Sequence, residues 1–471
     1  MAGPGRTPPG DGTGSPAGDG HVLVRLRGAA AVGATRALNA LSRRLGLGGG
    51  TVAGGRIGLV IDPSILARLA RDRRVVLVSG TNGKTTTTAL LARALAASGT
   101  GVVTNATGAN MPAGHLASLV GGPRGAPAVL EVDEAYLGRQ VAELRPEMVV
   151  LLNLSRDQLD RTNEVRMLAE RWRGALESAP GVRVVANADD PLVVFGAAGR
   201  PGNLWVSAGG LGWRHDATGC PACSGRIAFA TDRPGPGAAP GVSSSPPVAG
   251  GWHCTSCALA RPPAHAWLET TDGRTAVAWA DGRRRALQLE LPGRFNQANA
   301  LIAVVAAEAL DVDAGDALSA VAGLSEVAGR FALRSFGPVR VRLLLAKNPA
   351  GWTELLDLVG GGDEPIVVAI NARVADGRDP SWLWDVPFEV LAGRRVVASG
   401  DRASDLSVRL HYAGVEHRTV PDVGAAVGAA GGPGWGGDCA DRDTRPGPDG
   451  RLPTVQFVGN YTAFHDLLGR R

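Results

Sequence analysis

The stretch Val75–Thr88, VVLVSGTNGKTTTT, constrains this chain more than any other. A run of valine and leucine stops at Ser79. Glycines at 80 and 83 then frame a short loop, and Lys84, Thr85 and Thr86 open an alanine- and leucine-rich helix. Strand, glycine loop and helix, with G-x-x-G-K-T across the junction, describe a phosphate-binding loop. The glycines let backbone N–H groups turn inward around an anion, and the helix N-terminus adds its positive dipole end. Lys84 is then placed to reach the terminal phosphates of a nucleotide, and the Thr85 hydroxyl to face Mg²⁺.

Composition sharpens this reading. Among 49 lysines and arginines only Lys84 and Lys347 are lysine. A chain that uses arginine wherever a cation will serve keeps lysine where a compact ammonium is needed on a phosphate, a role that a planar guanidinium fills differently. The net charge of +5 is spread along 471 residues without a basic run, so no nucleic-acid partner is expected. No apolar run approaches the ~20 residues that cross a bilayer. Arg25, Arg27, Arg36, Arg43 and Arg44 interrupt the N-terminal apolar residues, which excludes a secretory pattern and makes cytoplasmic residence the expectation.

The length accommodates two or three domains. Residues 1–20, rich in Gly, Pro, Ser and Asp, read as a disordered tail. Residues 21–50 read as an N-terminal helical segment, basic and amphipathic, packed on the core or in peripheral contact with an anionic membrane surface. Valine-rich runs ending in polar residues (VVLVSG, GVVTN, AVLEVDE, MVVLLNL, VRVVANAD) alternate with helical stretches through a central domain, 51–325. That is the pattern of a parallel, doubly wound α/β sheet, with chemistry at the carboxyl ends of the strands. A smaller α/β domain follows over 326–471. Two Gly/Pro-rich stretches, 232–251 and 424–452, read as mobile loops.

Glu131 closes the run AVLEV beside this loop, where a carboxylate suits a hard cation bridging phosphates; a solvated acidic turn is the alternative. Cys220, Cys223, Cys254 and Cys257 form two C-x-x-C pairs within an insertion at about 215–265. Four thiolates in two knuckles suit a tetrahedral, coordinatively closed structural Zn²⁺ of zinc-ribbon type.

Taken together, GTNGKTTT at 80–87, the Glu131 strand end, NLSRDQLDR at 153–161, NADDPL at 187–192, LPGRFNQANA at 291–300, LAKNPAG at 345–351 and SGDRA at 399–403 resemble the Mur-type ligases. The resemblance covers nearly all of residues 50–471. It implies a central P-loop domain in which Gly80, Thr81, Asn82, Gly83, Lys84, Thr85 and Thr86 bind ATP, Glu131 holds Mg²⁺, Asn296 contacts the adenine side and Asp190 helps place the nucleotide. It also implies an activity: ATP converts a carboxylate to an acyl phosphate, which an amine then attacks. In the family the loop matching Lys347 helps hold the amine substrate.

Departures from the amino-acid-adding members point to a branch. Gln158 stands where they carry a metal-binding histidine, no lysine lies between 85 and 346, and the four-cysteine insertion is extra. These features resemble the MurT branch, synthetase subunits that work with a GatD-type glutaminase. The resemblance implies amidation of the α-carboxylate of D-glutamate in the stem peptide of lipid II, carried out at the inner face of the membrane. An acid of the C-terminal domain would complete the partner's Cys-His pair. Within Asn371–Glu389 the candidates are Asp376, Asp379 and Asp385, with Asp379 favoured, and Trp382 and Trp384 would anchor a loop or a protein interface. An autonomous amino-acid ligase and a nucleotide-binding scaffold without turnover stand as alternatives. Cys439 is assigned no role.

Overall fold

The computed structural model describes residues 17–45, 51–97, 99–105, 108–156, 165–230, 251–327, 330–337, 339–432 and 454–470. Two sheets carry the architecture. The first contains β1 (Val75–Ser79), β2 (Val103–Thr104), β3 (Ala128–Val132), β4 (Met148–Leu151), β5 (Arg183–Asn187), β6 (Leu204–Ser207), β9 (Ala266–Thr271), β10 (Arg274–Trp279) and β11 (Arg284–Ala286), in the order β11-β10-β9-β6-β5-β4-β1-β3-β2. From β2 to β9 every pairing is parallel, and β9, β10 and β11 extend it as an antiparallel meander. Between β6 and β9, β7 (Ile227–Phe229) and β8 (Trp252–Cys254) pair with each other as a separate ribbon.

The valine runs are continuous rather than alternating because both faces of the sheet are covered. Val75 and Leu77 belong to one buried cluster, Val76 and Val78 to the other. Helices α4 (Lys84–Ala96), α9 (Arg294–Glu308) and α10 (Ala314–Ala322) cover one face. On the other lie α3 (Ile65–Ala70), α5 (Pro112–Gly121), α6 (Leu137–Leu144), α7 (Val165–Glu177) and α8 (Pro191–Ala197).

The second sheet, in the order β12-β13-β17-β14-β15-β16, is built from β12 (Phe331–Phe336), β13 (Val339–Leu345), β14 (Ile366–Ala369), β15 (Val396–Ser399), β16 (His417–Thr419) and β17 (Thr454–Gly459). It is parallel except for the β12–β13 hairpin. Helices α11 (Pro349–Gly360), α12 (Ala403–Tyr412), α13 (Val423–Gly431) and α14 (Tyr461–Leu468) flank it.

Three boundaries differ from the expectation. Residues 17–20 are the first turn of helix α1 (Ala17–Arg44), not the end of a tail. Helix α2 (Thr51–Ile61), counted with the central domain, packs there on Ala113 and Leu116 of α5 and also folds back on α1, where the Thr35 hydroxyl lies 3.2 Å from Gly54 O. Residues 424–431, read as a mobile loop, belong to α13, capped by Asp422, with Ala426, Val427 and Ala430 buried under the second sheet. Short side chains let that Gly/Ala segment pack closely, which low complexity concealed. Cys439, Asp157, Gln158 and Asp160 lie outside the described residues.

Candidate active site

Strand order builds the site. The loop after β1 leaves an interior strand of the sheet, flanked by the carboxyl ends of β3 and β4, where the order of connection reverses and ligands bind in open α/β sheets. Val78 pairs with Glu131 and Ser79 with Val132 on one side, and Ser79 with Leu151 on the other. Gly80 has φ +148° and Gly83 φ +86°; a Cβ at Gly80 would lie 2.7 Å from Leu152 Cβ, and one at Gly83 2.6 Å from Asn299 Oδ1. Only glycine fits both places.

The end of β4 holds the loop open. Thr81 N–H donates to Asn153 O at 2.9 Å, Asn82 N–H to Asn153 Oδ1 at 2.9 Å, and Asn153 Nδ2 donates back to Asn82 O at 3.0 Å. The Thr81 hydroxyl donates to Ser155 O and accepts from Ser155 N–H, both at 3.0 Å. Lys84 Nζ is held by Gly80 O, by Thr81 O at 3.1 Å and by Glu134 Oε1 at 3.1 Å. An anion is the kind of ligand that could exchange for these contacts.

Glu131 is 2% exposed, and its Oε2 is buried without a hydrogen-bond partner. A buried carboxylate oxygen lacking a donor fits a cation, so Mg²⁺ is compatible with this position. Asn105 and His115 position it. Asn105 Oδ1 accepts from Glu131 N–H and Asn105 Nδ2 donates to Glu131 O, both at 2.9 Å, and His115 Nε2 lies 2.9 Å from the same carbonyl. Burial pushes the His115 pKa down, which favours a neutral ring. Neither residue belongs to a recognisable motif, so sequence reading missed both.

The cavity beside the loop draws on both sheets. The P-loop, Asn153–Ser155, Asp189 and Asp190, Gly210–Trp213 and Asn296 line it from the first; Lys347, Gly351 and Glu354 line it from the second. Asn296 lies in the first turn of α9, with Nδ2 donating to Pro292 O at 2.6 Å. Asp190 caps α8 through Leu192 and Val193 N–H and also accepts from Leu154 N–H at 2.8 Å. Burial raises its pKa to about 6. It therefore orders the rim of the cavity. Asp189, singled out only as part of a motif, accepts from Ala208 and Gly210 N–H and pairs with Arg261 at 2.9 Å.

The two domains meet at a reciprocal amide pair. Asn82 Nδ2 donates to Asn348 Oδ1 and Asn348 Nδ2 to Asn82 Oδ1, each at 3.1 Å. Asn348 also caps α11 through Gly351 N–H at 2.9 Å. Next to it, Lys347 Nζ lies 5.4 Å from the Tyr461 ring centroid. The signal was present as Asn348-Pro349, an N-cap followed by proline at N1, but its partner 266 residues away was not. Glu354 faces the same cavity, and burial, then Asp357, raises its pKa.

The four cysteines converge. Their Sγ atoms lie within 4.8 Å of one another, with Cys220–Cys257 at 3.7 Å and Cys223–Cys254 at 3.5 Å. A disulfide needs about 2.05 Å. A tetrahedron with Zn–S bonds of about 2.3 Å has edges of roughly 3.8 Å. Gly225 and Ser256 N–H donate to Cys223 and Cys254 Sγ at 3.4 Å, stabilising thiolates. The cluster is compatible with zinc, and a Cys₄ sphere leaves no coordination position for substrate. The ribbon is tied to the cavity rim, since Trp252 Nε1 donates to Ala188 O at 3.0 Å.

The three candidate acids are in different situations. Asp376 is buried and committed to Thr462, accepting from its N–H at 2.9 Å and from its hydroxyl. Asp385 lies 3.7 Å from Arg156 across the domain boundary. Asp379 is exposed and accepts from Ser381 N–H at 2.9 Å, which lowers its pKa. The paired tryptophans divide: Trp382 is buried on Trp352, with ring centroids 5.9 Å apart, while Trp384 is 56% exposed against exposed Tyr412.

Known proteins agree with this geometry. The Mur ligase middle domain family matches residues 78–204 and the MurT ligase C-terminal family residues 345–427. The chain is 30% identical over 396 residues to the MurT subunit of the glutamine-hydrolysing lipid II isoglutaminyl synthase of Streptococcus pneumoniae, covering 80% of this chain and 85% of that one. It is 28% identical to the subunit of the same name in Staphylococcus aureus, over 78% and 84%. A solved pseudomurein peptide ligase type C from Methanothermus fervidus shares the fold, at a TM-score of 0.59 and 18% identity over 87% of this chain and 81% of that one. With the P-loop, the flanking Glu131 and both matched domains in one chain, this protein is a ligase that belongs to the Mur ligase family, among its MurT subunits.

Proposed function

We propose that this chain is the ATP-dependent synthetase subunit of a glutamine-dependent amidotransferase. It amidates the α-carboxylate of D-glutamate in the lipid II stem peptide to D-isoglutamine, with ammonia from a GatD-type glutaminase. The observation that carries this reading is the P-loop joined through Asn82–Asn348 to the domain that bears Lys347 and Asp379.

A carboxylate is a poor electrophile, and phosphorylation to an acyl phosphate supplies a leaving group. Two anions must then be held together, so cationic stabilisation dominates. Lys84 and the first N–H groups of α4 hold the terminal phosphates, and Glu131 with Thr85 would hold Mg²⁺, which screens the phosphate charge when bound. Asn296 places the base. Lys347 faces the same cavity and supplies a cation for the substrate carboxylate. Ammonia then displaces phosphate.

The glutaminase docks on the second domain, where Asp379, Trp384 and Tyr412 are exposed. Among the described residues all four cysteines cluster together, which leaves none to pair with a histidine for glutamine hydrolysis; Asp379 would orient the partner's histidine. In the reconstituted complex, Asp379→Asn is expected to lower glutamine-dependent amidation by at least about 100-fold while ammonia-dependent amidation stays within about threefold. Equal loss of both activities would move the acid into the synthetase site. Failure of the chain to capture a class I glutaminase would remove the partner reading.

A further inference from the structure

Helix α1 is turned the wrong way round for a helix that serves only to pack. Its buried positions are Gly28, Ala31, Thr35 and Asn39, spaced by three or four residues. They are small or polar; Ala31, Thr35 and Asn39 meet Gly54 and Gly58 of α2, and Gly28 lies against Arg68. A Cβ at Gly54 would lie 2.7 Å from Thr35 O, and one at Gly58 2.7 Å from a Leu116 methyl. Three leucines point to solvent instead: Leu23 is 67% exposed, Leu26 62% and Leu41 52%, and Val60 of α2 is 78% exposed. At 100° per residue, Leu23, Leu26, Ala30, Ala37 and Leu41 fall in one wedge roughly 60° wide, opposite Thr35. Arg44 lies at the edge of this stripe, while Arg25 and Arg43 stand together on one side of the helix about 100° from that edge, and all three are exposed.

The charge around the stripe has one sign. Residues 21–61 contain Arg25, Arg27, Arg36, Arg43, Arg44 and Arg56 and no aspartate or glutamate. A second copy of this chain laid on the stripe would bring two such arginine sets together with no acid between them. A phospholipid surface with anionic headgroups supplies the missing charge and accepts the leucines. Among the described residues no helix is long and apolar enough to cross a membrane, and the arginines along α1 favour an in-plane orientation over insertion.

We propose that the outward stripe of α1 docks in the plane of an anionic phospholipid surface. Leu23, Leu26 and Leu41 enter the headgroup boundary with the stem of Arg44 beside them, and Arg25 and Arg43 extend from the side of the helix toward lipid phosphate. The proposal stands on the helix pair and does not rest on the amidation reading, although a lipid-borne substrate would be met at such a surface.

The test is co-sedimentation of the full chain with vesicles of phosphatidylglycerol and phosphatidylcholine, against vesicles of phosphatidylcholine alone. Two variants accompany it, Leu26→Glu/Leu41→Glu and Arg25→Gln/Arg43→Gln/Arg44→Gln, with thermal unfolding and nucleotide binding as controls for folding. All five side chains are exposed, so both controls should be unchanged. The chain should pellet with anionic vesicles at least about tenfold more tightly than with neutral ones, and each variant should lose about tenfold or more. A wild-type chain that stays in the supernatant overturns the proposal, as does a leucine variant that binds like wild type. A dimer seen by analytical ultracentrifugation and broken by the leucine variant, without vesicle binding, would assign the stripe to a second copy instead.

Discussion

The Asn82–Asn348 pair offers a measurement of how firmly the P-loop is tied to the second domain. Two hydrogen bonds of 3.1 Å join side chains that are fully buried at Asn348 and half-buried at Asn82. Each such bond contributes about 0.5–1.5 kcal/mol net, so the pair contributes about 1–3 kcal/mol. Asn82→Ala should cost that amount. Asn348→Ala should cost about 1 kcal/mol more, because it also removes the cap on Gly351 N–H. The double variant should cost no more than Asn348→Ala alone, leaving a coupling energy of about 1–3 kcal/mol. Urea unfolding of the full chain measures the four corners of the cycle. Costs that add to within about 0.5 kcal/mol would refute the contact as a link between domains.

Three further outcomes are expected. Lys84→Ala should lower ATP turnover at least ~100-fold, because the compact cation at the loop is lost; near-normal turnover would remove the phosphate-binding assignment. Purified protein should carry about one zinc per chain, as a closed Cys₄ site requires, and Cys254→Ser should release it. Because Trp252 and Arg261 bind Ala188 and Asp189, zinc loss should also raise the KM for ATP, and an unchanged KM would sever the ribbon from the cavity. Asp190 binds its proton more tightly folded, at about 6, than at its ordinary 3.8. The stability it contributes is thus complete below about pH 4 and falls as pH rises to about 6, by up to roughly 3 kcal/mol. Asp190→Asn should flatten that slope relative to wild type, and parallel pH profiles would contradict it.

Much of this protein was legible in its residues, wherever the chemistry is local. Glycines at 80 and 83, a lysine at a helix start and valine runs broken by polar residues are short-range signals, and the backbone conformations they require match the loop and strands observed. The two C-x-x-C pairs announced a metal-type cluster before its Sγ atoms could be measured, because each knuckle brings two thiolates together on its own. Family resemblance then ordered these motifs along the chain.

Tertiary structure decided what depends on distance in sequence. Asn82 meets Asn348 only because two separately folded sheets share a cavity. Trp382 and Trp384, two residues apart, differ in burial because a tight 3₁₀ turn sends one into the core and leaves the other outside. Asp376, a candidate beside Asp379 in the sequence, is occupied by Thr462 from a helix 86 residues later. The amphipathic pattern of α1 marked an apolar face and a polar one but not which of them turns inward. Close packing against the glycines of α2 decided that: it admits small side chains and turns the leucines outward.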